Sequence, residues 1–267
     1  MKYAIIIPAR FASTRFPGKP LALINGKAMI DHVYDLAMDA AKTVKDAQVI
    51  VATDDDRIEN HCKAQGMTCL RTSSSCETGS DRVLEAAVKL SPEPDVIINL
   101  QGDAPLTPLR AITDIMYSFS TTPDILVSTP VKQLSWSELS RVRRKKKLTP
   151  FSGTTVTIDK NDNALWFSKM IIPAIRKEES LMETDDFSPV YQHLGLYGYR
   201  LETLKKFVNL KCGVYENLEG LEQLRLLEND IPVHCVKLPT DTVIHSGIDS
   251  PEDVDSAESL IRQMRMT

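Results

Sequence analysis

The first strand pattern and the loop after it read YAIIIPARFASTRFPGKP over residues 3–20. The apolar run at residues 3–7 lacks polar alternation, which is typical of a strand buried on both faces of a parallel sheet. A second such run, at residues 96–100, ends at the polar stretch Gln101-Gly102-Asp103. Between the two runs, short strand patterns alternate with helical ones, which predicts βαβ units. The sequence therefore predicts an α/β fold with a mostly parallel sheet and helices on both of its faces.

The pattern changes from about residue 130 onward. Residues 154–158 and 164–168 are strand-like and flank the polar stretch 159–163, which predicts a β-hairpin. Because a hairpin does not continue a doubly wound sheet, we expect residues 130–200 to form a smaller inserted subdomain within a single domain, 1–267. Later patterns predict a strand at 193–199, a helix at 216–228, a strand at 233–237 and a last helix at 251–264, capped by Ser250.

The composition excludes several classes of protein. The chain has 267 residues, of which 42% are hydrophobic and 25% charged, enough for a sizeable core and too apolar for a disordered chain. No apolar run reaches the ~18–20 residues needed to span a bilayer, so we expect a cytoplasmic protein without a membrane partner. The five cysteines include no Cys-x-x-Cys pair, which argues against a disulfide framework and a zinc site.

The basic run at residues 143–147 raises the alternative of a nucleic-acid-binding module. A net charge of −4 gives the chain no overall positive field that would attract nucleic acid. Without interleaved aromatic residues, such a run is more typical of a solvated helix or loop face. Nucleic acid is therefore not expected as a partner.

The loop after the first strand carries three cations, Arg10, Arg15 and Lys19. Open α/β sheets bind ligands at the carboxyl ends of their strands, which is where this loop begins. Guanidinium groups bind phosphate oxygens in pairs and a lysine adds a point charge, so the loop predicts a polyphosphate site. It is not a Gly-x-x-x-x-Gly-Lys-Ser/Thr loop, because it has one glycine and Pro20 follows Lys19. The alternative is a basic surface loop.

Two aspartates at remote strand-to-helix turns, Asp103 and Asp249, are the candidate metal ligands. Mg²⁺ is commonly held by one or two carboxylates together with substrate phosphates, and two such turns can meet at one edge of a sheet. For Asp249, a turn residue ahead of the Ser250 cap is an equal alternative. With the cationic loop, a magnesium site suits displacement at the α-phosphorus of a nucleoside triphosphate. The sequence shows no evident pairing of a protein nucleophile with a histidine.

Six motifs between residues 7 and 253 occur in the order found in one enzyme family: IPARFASTRFPGKPL, VATDD, QGDAPL, HLGLYGYR, LEQLR and GIDSPED. The chain thus resembles the cytidylyltransferases that make CMP-Kdo, where Kdo is 3-deoxy-manno-octulosonate. The resemblance implies a nucleotide-diphospho-sugar transferase (Rossmann-like) fold, a homodimer, and transfer of CMP from CTP to the anomeric hydroxyl of a 3-deoxy-octulosonate sugar acid for lipopolysaccharide biosynthesis. The alternative is a transferase of the same fold for another sugar acid or another nucleotide, such as UTP.

The resemblance also implies roles for particular residues. Arg10, Ser13, Arg15 and Lys19 match the family's triphosphate loop, and Gly79, Arg82 and Gln101 match the segment that recognises cytosine. Asp103 and Asp249 match its Mg²⁺ ligands and, with Lys19, its catalytic residues. On the sugar side, the matching residues are Arg176, His193, Tyr197, Glu219 and Gln223, and Lys169 is a further candidate that replaces the family's Arg. For His193, a buried structural imidazole is the alternative.

Three positions depart from the family pattern. Ala104 stands where the family has Glu, Lys169 stands where it has Arg, and Thr155-Val156-Thr157 stands where it has a Val-Lys pair. All three lie in or near the expected sugar side, whereas the nucleotide-side motifs are intact. Because polar groups that a wrong substrate leaves unpaired drive discrimination, we expect the acceptor to be 8-amino-3,8-dideoxy-manno-octulosonate. The alternative is sequence drift, with Kdo still the substrate.

Overall fold

The computed structural model describes residues 1–12, 16–245, 247–248 and 250–264. Its strands are β1 (Tyr3–Ala9), β2 (Leu23–Ile24), β3 (Lys27–Ala28), β4 (Ala47–Thr53), β5 (Cys69–Arg71), β6 (Val96–Asn99), β7 (Val127–Ser135), β8 (Thr154–Ile158), β9 (Ala164–Ser168), β10 (Phe187–His193), β11 (Tyr197–Arg200) and β12 (Val233–Lys237). Its α-helices are α1 (Met29–Ala41), α2 (Asp56–Ala64), α3 (Gly79–Ala87), α4 (Leu109–Thr121), α5 (Trp136–Leu148), α6 (Glu178–Thr184), α7 (Leu201–Val208), α8 (Val214–Glu219), α9 (Leu224–Leu227) and α10 (Pro251–Met264). A 3-10 helix spans Lys19–Leu21.

Within the described residues, ten strands form one mixed sheet in the order β5-β4-β1-β6-β11-β7-β10-β8-β9, with β12 also paired to β7. The first four strands of this order are parallel to one another. Strand β11 runs antiparallel between β6 and β7, and β12 runs parallel to β7. The predicted α/β fold with a parallel N-terminal sheet is confirmed.

Strand β1 is buried on both faces of the sheet. Tyr3, Ile5 and Ile7 join the core beneath α1, α2 and α4. Ala4 and Ile6 join the opposite core beneath α3 and α7. Helices on both faces explain the uniformly apolar run, because neither side of the strand meets water. Strands β1 and β6 are parallel neighbours, so their carboxyl ends meet at one edge of the sheet.

Two predicted elements are each divided in the structure. The strand predicted at 193–199 is wrong as one element, because β10 ends at His193 and β11 begins at Tyr197. The helix predicted at 216–228 is wrong as one element, because Gly220 has a φ of 60° and separates α8 from α9. A left-handed residue ends an α-helix, and glycine adopts that conformation without a steric penalty.

The predicted hairpin is present as β8 and β9, and it extends the central sheet through β10. The division of the chain into a domain and an inserted subdomain at 130–200 stays a prediction. The last helix is confirmed as α10, with the backbone nitrogen of Ser250 donating to Oδ2 of Asp253 over 2.9 Å.

The basic run at 143–147 forms the end of α5. The guanidinium of Arg143 donates to both carboxylate oxygens of Glu178, over 2.6 and 2.7 Å. The ammonium of Lys146 donates to the carbonyl oxygens of Ser152 and Lys169, over 2.6 and 2.5 Å. These cations are paired within the chain, as expected of a structural helix face. In the part of the chain that the structure describes, no helix combines the length and the apolarity that crossing a bilayer requires.

Candidate active site

A cavity of about 410 Å³ opens at the edge of the sheet where β1 and β6 end. The ends of both strands, the 3-10 helix and the start of α3 line it, with Pro8, Ala9, Arg10, Ala12, Lys19, Pro20, Gly79, Gln101, Gly102 and Asp103. The structure therefore brings together Arg10, Lys19, Gly79, Gln101 and Asp103, which the sequence predicted as nucleotide or metal ligands.

Among the described residues, two cations and one acid face this cavity. The Nζ atom of Lys19 lies 2.5 Å from Oδ2 of Asp103, and the two side chains are 14% and 33% exposed. The Nη2 atom of Arg10 donates to the carbonyl oxygen of Cys76 over 2.6 Å, which fixes the guanidinium at the wall. Partly shielded charges interact more strongly than fully solvated ones, so this pair of cations suits a polyphosphate.

Gly102 allows the ends of β6 and β1 to approach each other closely. A Cβ atom at Gly102 would lie 2.8 Å from the carbonyl oxygen of Pro8, which is closer than side chains and backbone tolerate. Any other residue here would push the two strand ends apart and move Asp103 away from the cationic loop.

The amino end of α3 forms the opposite wall. Thr78 and Asp81 form a capping box, in which Oγ1 of Thr78 accepts from the Asp81 backbone and Oδ2 of Asp81 accepts from the Thr78 backbone. Gly79, the first residue of the helix, faces Oε1 of Gln101, and Nε2 of Gln101 donates to Asn99. A helix amino terminus carries a partial positive charge, which favours an anionic or carbonyl-rich ligand at this wall.

Arg82 is almost fully buried, with 1% of its side chain exposed, and is absent from the described cavity lining. Its Nη1 atom donates to Oγ1 of Thr72 over 2.5 Å and lies 3.2 Å from Oδ1 of Asp54. Its Nε atom has no partner among the described residues. Arg82 thus fastens α3 to the ends of β4 and β5, and its predicted contact with a nucleotide stays a prediction.

The turn before α10 packs against Asp103. The backbone nitrogen of Ile248 donates to the carbonyl oxygen of Asp103 over 2.9 Å. A Cβ atom at Gly247 would stand 3.4 Å from Oδ1 of the same aspartate. The remote turn that the sequence assigned to the metal site therefore reaches Asp103. The predicted ligand Asp249 itself lies outside the described residues, as do Ser13 and Arg15.

Asp103 suits magnesium better than a metal that requires several protein ligands. Within residues 1–12, 16–245, 247–248 and 250–264, no three His, Cys, Asp or Glu side chains gather as a metal cluster. Mg²⁺ retains several waters and binds through one or two carboxylates plus substrate phosphates, so a partly exposed aspartate beside a polyphosphate cavity fits it.

A group of buried, uncharged polar side chains lies at the ends of β10 and β11. The Nε2 atom of His193 is 2.9 Å from Oγ1 of Thr129, and that hydroxyl donates to the carbonyl oxygen of Leu196 over 2.8 Å. Since a hydroxyl has one hydrogen, this arrangement assigns the imidazole proton to Nε2. Burial and the nearby charge of Lys169 lower the pKa of His193 to about 3, so the ring is neutral at neutral pH.

Tyr197 and Glu222 each present a buried polar atom that has no hydrogen-bond partner among the described residues. These atoms are Oη of Tyr197 and Oε1 of Glu222, and the latter lies 3.9 Å from the guanidinium of Arg225. The other carboxylate oxygen of Glu222 accepts from Oγ of Ser80 over 2.8 Å, and burial raises the pKa of Glu222. Ser80 follows Gly79 directly, so this group adjoins the nucleotide-side wall. Buried polar atoms normally have partners, and atoms without one indicate a place for a polar ligand.

Glu222 was missed at the sequence level, where Glu219 was selected instead. Glu219 uses both carboxylate oxygens within the chain: one accepts from Oγ of Ser168 and the other from the backbone nitrogen of Lys169, each over 2.8 Å. The available signal was the LEQLR motif, which contains Glu222 beside Gln223. The break at Gly220 separates the environments of the two glutamates.

The remaining sugar-side predictions divide between the interior and the surface. Gln223 is 7% exposed and is the N-cap of α9, directly after Glu222. Lys169 follows β9 and lies near enough to His193 to lower its pKa. Arg176 is exposed, and no contact recorded among the described residues joins it to this group. Its predicted role stays a prediction.

A larger cavity of about 760 Å³ lies elsewhere, between α5 and the segment at residues 240–245. Its buried lysine, Lys132, is neutralised by Glu138 over 2.6 Å. Apolar residues such as Val142 and Ile244 line much of the remainder. This lining includes Arg141, Lys145 and the amino end of α5, but none of the residues that the sequence predicted for the site. The smaller cavity contains several of them and lies at the carboxyl ends of β1 and β6, so it is the candidate nucleotide site.

Comparison with known proteins supports the same assignment. A family model described as cytidylyltransferase matches residues 4–235. The 3-deoxy-manno-octulosonate cytidylyltransferase of Maricaulis maris is 41% identical over 98% of this chain and 97% of its own. The 8-amino-3,8-dideoxy-manno-octulosonate cytidylyltransferase of Shewanella piezotolerans is 38% identical over 97% of this chain and 98% of its own.

A solved structure extends the comparison to the fold. It is a CMP:2-keto-3-deoxy-manno-octonic acid synthetase complexed with CTP, with a TM-score of 0.84 and 32% sequence identity. The match covers 99% of this chain and 100% of the solved chain. This chain is thus similar to these proteins in both sequence and fold over nearly its whole length.

Proposed function

Because the chain belongs to the cytidylyltransferase family, we propose that it transfers CMP from CTP to the anomeric hydroxyl of a 3-deoxy-octulosonate sugar acid and releases pyrophosphate. One observation carries the proposal: Arg10, Lys19, Asp103 and the amino end of α3 surround one cavity at the carboxyl ends of β1 and β6. The buried polar group around His193, Tyr197 and Glu222 adjoins it through Ser80.

The reaction is a displacement at the α-phosphorus of CTP. The anomeric oxygen of the sugar acid forms a bond to that phosphorus, the bond to the bridging α–β oxygen breaks, and pyrophosphate leaves with the electron pair. The anomeric proton passes to water or to a released phosphate oxygen. Arg10 and Lys19 stabilise the negative charge that accumulates on the leaving group. In such a reaction the protein contributes mainly positioning and charge neutralisation.

Asp103, with Asp249 on the evidence of the motif, would hold Mg²⁺ beside the triphosphate. Such an ion neutralises phosphate charge and orients the phosphates for in-line attack. In the structure, Lys19 and Asp103 neutralise each other. Binding of CTP would therefore exchange this ion pair for contacts of the lysine with phosphate, so both charges remain compensated throughout.

Glu222, Gln223, Tyr197 and His193 would bind the sugar acid. Their buried polar atoms offer hydrogen bonds to hydroxyl groups, and a sugar with a missing or misplaced hydroxyl would leave them unpaired. The neutral imidazole of His193, with its proton on Nε2, offers Nδ1 as an acceptor. Lys169 supplies a cation near this group, suitable for the sugar carboxylate.

Kdo and its 8-amino analogue are the two candidate acceptors, and relatives with each name are similar to this chain. The expectation of the 8-amino sugar stays a prediction. Its support is the altered trio Ala104, Lys169 and Thr157. The Oε1 atom of Glu222 adds to it, because this atom accepts no hydrogen bond from a described residue, lies 3.9 Å from Arg225 and can accept from an ammonium group.

The proposed enzyme acts as a homodimer in the cytoplasm, where CTP is available, and supplies CMP-activated sugar acid for lipopolysaccharide biosynthesis. Exposed apolar side chains support the dimer: Leu165 on the edge strand β9, and Val214 and Leu218 on α8. Trp166 and Tyr215 join these elements edge to face, with ring centroids 5.0 Å apart. A monomeric mass at micromolar concentration, with full activity, would contradict a functional dimer.

A pyrophosphate-release assay tests the activity. Each of CTP, UTP, ATP and GTP is combined with Kdo, 8-amino-3,8-dideoxy-manno-octulosonate or a nine-carbon sialic acid, with and without Mg²⁺. We expect release with CTP and an octulosonate alone, and dependence on Mg²⁺. A higher kcat/KM for Kdo than for the 8-amino sugar contradicts the acceptor prediction, and no release with either contradicts the proposed function.

A further inference from the structure

Arg57, on the first turn of α2, stacks on an aromatic ring of the cationic loop. Its guanidinium carbon lies 3.2 Å from the centroid of the Phe11 ring. Asp55 holds the same guanidinium with both carboxylate oxygens, from Nε over 2.9 Å and from Nη2 over 2.6 Å. Asp55 also accepts from the backbone nitrogen of Arg57 and so caps the helix. The arginine is therefore fixed in orientation before it meets the ring.

The edge of the Phe11 ring meets Gly18. A Cβ atom at Gly18 would lie 3.0 Å from Cζ of Phe11, and Gly18 donates its backbone N–H to the carbonyl oxygen of Phe11 over 2.9 Å. Gly18 has a φ of 73° and immediately precedes the 3-10 helix that begins with Lys19. Phe11 itself follows Arg10. The ring thus connects the two ends of the loop that present its cations to the cavity.

We propose that Arg57 is a positioning residue for the triphosphate loop: with Asp55 it presses Phe11 against Gly18 and thereby holds Arg10 and Lys19 at the spacing that a triphosphate requires. Arg57 is not among the residues that line the cavity and acts through Phe11. The inference rests on the proposed function, because it assigns the loop to the triphosphate of CTP.

The exposure of Arg57 separates positioning from a role in folding. Its side chain is 60% exposed, and exposed ion pairs contribute little to the free energy of unfolding. Asp55 and Arg57 come from one helix end, so their contact ties no remote segments of the core together. Phe11 links that helix end to the loop. Loss of Arg57 should therefore loosen the loop while the fold persists.

The test compares Arg57→Ala with Lys63→Ala, both in the full-length chain. Lys63 lies on the same helix, is 66% exposed and pairs with Glu59, so it matches Arg57 in charge, exposure and ion pairing. We expect Arg57→Ala to raise KM for CTP about fivefold, as loss of a cation–π contact predicts, with KM for the sugar acid and Tm unchanged. Lys63→Ala should match wild type. Arg57→Lys, which keeps a cation over the ring, should recover part of the CTP affinity.

Trypsin cleavage gives a readout that does not depend on activity. The loop contains the tryptic bonds after Arg10 and Arg15, so Arg57→Ala should be cut there faster than wild type, and saturating CTP should slow the cut. An unchanged KM for CTP and an unchanged cleavage rate would overturn the inference while wild-type turnover left the proposed function intact. Equal losses in Tm and in both KM values would show a structural role instead. If wild type neither binds nor turns over CTP, the proposed function fails first.

Discussion

As proposed above, the nucleotide side and the sugar side of the candidate active site would recognise their ligands by different physical means. The nucleotide side places charges at strand ends: Arg10, Lys19 and Asp103 stand at the mouth of a cavity, partly in water. The sugar side contains buried, neutral polar groups, such as the imidazole of His193 and the hydroxyl of Tyr197. The nucleotide side would compensate the charge of the phosphates, whereas the sugar side would select its ligand mainly through hydrogen bonds.

This contrast predicts which substitutions affect which substrate. Charge removal on the nucleotide side should act on CTP and on turnover, with an effect that salt modulates. Loss of a buried polar atom on the sugar side should act on the sugar acid alone, because an unpaired buried group carries its full desolvation cost. Substitutions on the nucleotide side should therefore raise KM for CTP, whereas substitutions on the sugar side should raise KM for the sugar acid.

The largest expected effect is that of Asp103→Asn. The change removes the negative charge offered to Mg²⁺ and leaves the volume of the side chain nearly the same. We expect kcat to fall about a hundredfold or more, because electrostatic compensation at a transferring phosphoryl group is worth several kcal/mol. Steady-state kinetics over a Mg²⁺ series measures it. Asp114→Asn, which removes an exposed partner of Arg110, is the control. Near-normal turnover with unchanged Mg²⁺ dependence would remove Asp103 from the mechanism.

Lys19→Ala should have the next largest effect. Loss of charge-assisted hydrogen bonds worth ~1.5–3 kcal/mol should raise KM for CTP by about 10- to 150-fold, while KM for the sugar acid changes little. Lys27→Ala is the matched control, since Lys27 pairs with Asp35 outside the cavity. A large rise in KM for the sugar acid would mean that the two sides share this lysine, and the contrast would then be wrong.

Sequence patterns predicted which residues gather on the nucleotide side better than they predicted which residues gather on the sugar side. An apolar run such as Ile5-Ile6-Ile7 indicates a strand that is buried on both faces. The carboxyl ends of parallel strands lie at the same edge of a sheet, so residues that follow such strands come close together. Strand β7 was not predicted, because it contains Pro130 and Lys132. The buried ammonium of Lys132 is tolerated since Glu138 of α5 reaches it, a contact that no hydrophobic period reveals.

The choice between Glu219 and Glu222 had the same difficulty. Both lie in what the sequence predicts as one helix, and three residues apart they would share a helical face. The left-handed conformation of Gly220 ends α8 there, and the two carboxylates acquire different partners. The motif identifies the segment that contains the two glutamates, but the backbone conformation of Gly220 determines which hydrogen-bond partners each carboxylate has.

Glu222→Gln and Glu219→Gln compare these two carboxylates directly. Glu222→Gln replaces a carboxylate whose Oε1 atom accepts no hydrogen bond from a described residue and lies 3.9 Å from Arg225. We expect KM for the sugar acid to rise about tenfold with KM for CTP unchanged. Glu219→Gln weakens contacts to Ser168 and Lys169, so it should lower Tm by a few degrees and leave KM for the sugar acid within about twofold. The reverse pattern would restore Glu219 as the sugar ligand.

The smallest effect concerns the charge state of His193, the histidine that the sugar side keeps buried and neutral. Its pKa is lowered to about 3 by burial and by Lys169, against about 6.5 for an ordinary histidine. Between these values the unfolded chain binds a proton that the native chain does not, so the stabilising contribution is complete above about pH 6.5 and declines as the pH falls below it.

From pH 6 to pH 5, the free energy of unfolding of wild type should fall about 1 kcal/mol further than that of His193→Gln, whose amide can still donate to Thr129. Urea unfolding at pH 7, 6 and 5 measures the difference. Burial also lowers the pKa of His234 and His245, but both are present in wild type and variant, so their contributions cancel in the comparison. Parallel pH profiles would mean that His193 titrates normally and carries charge under mildly acidic conditions, and the sugar side would then hold a second cation beside Lys169.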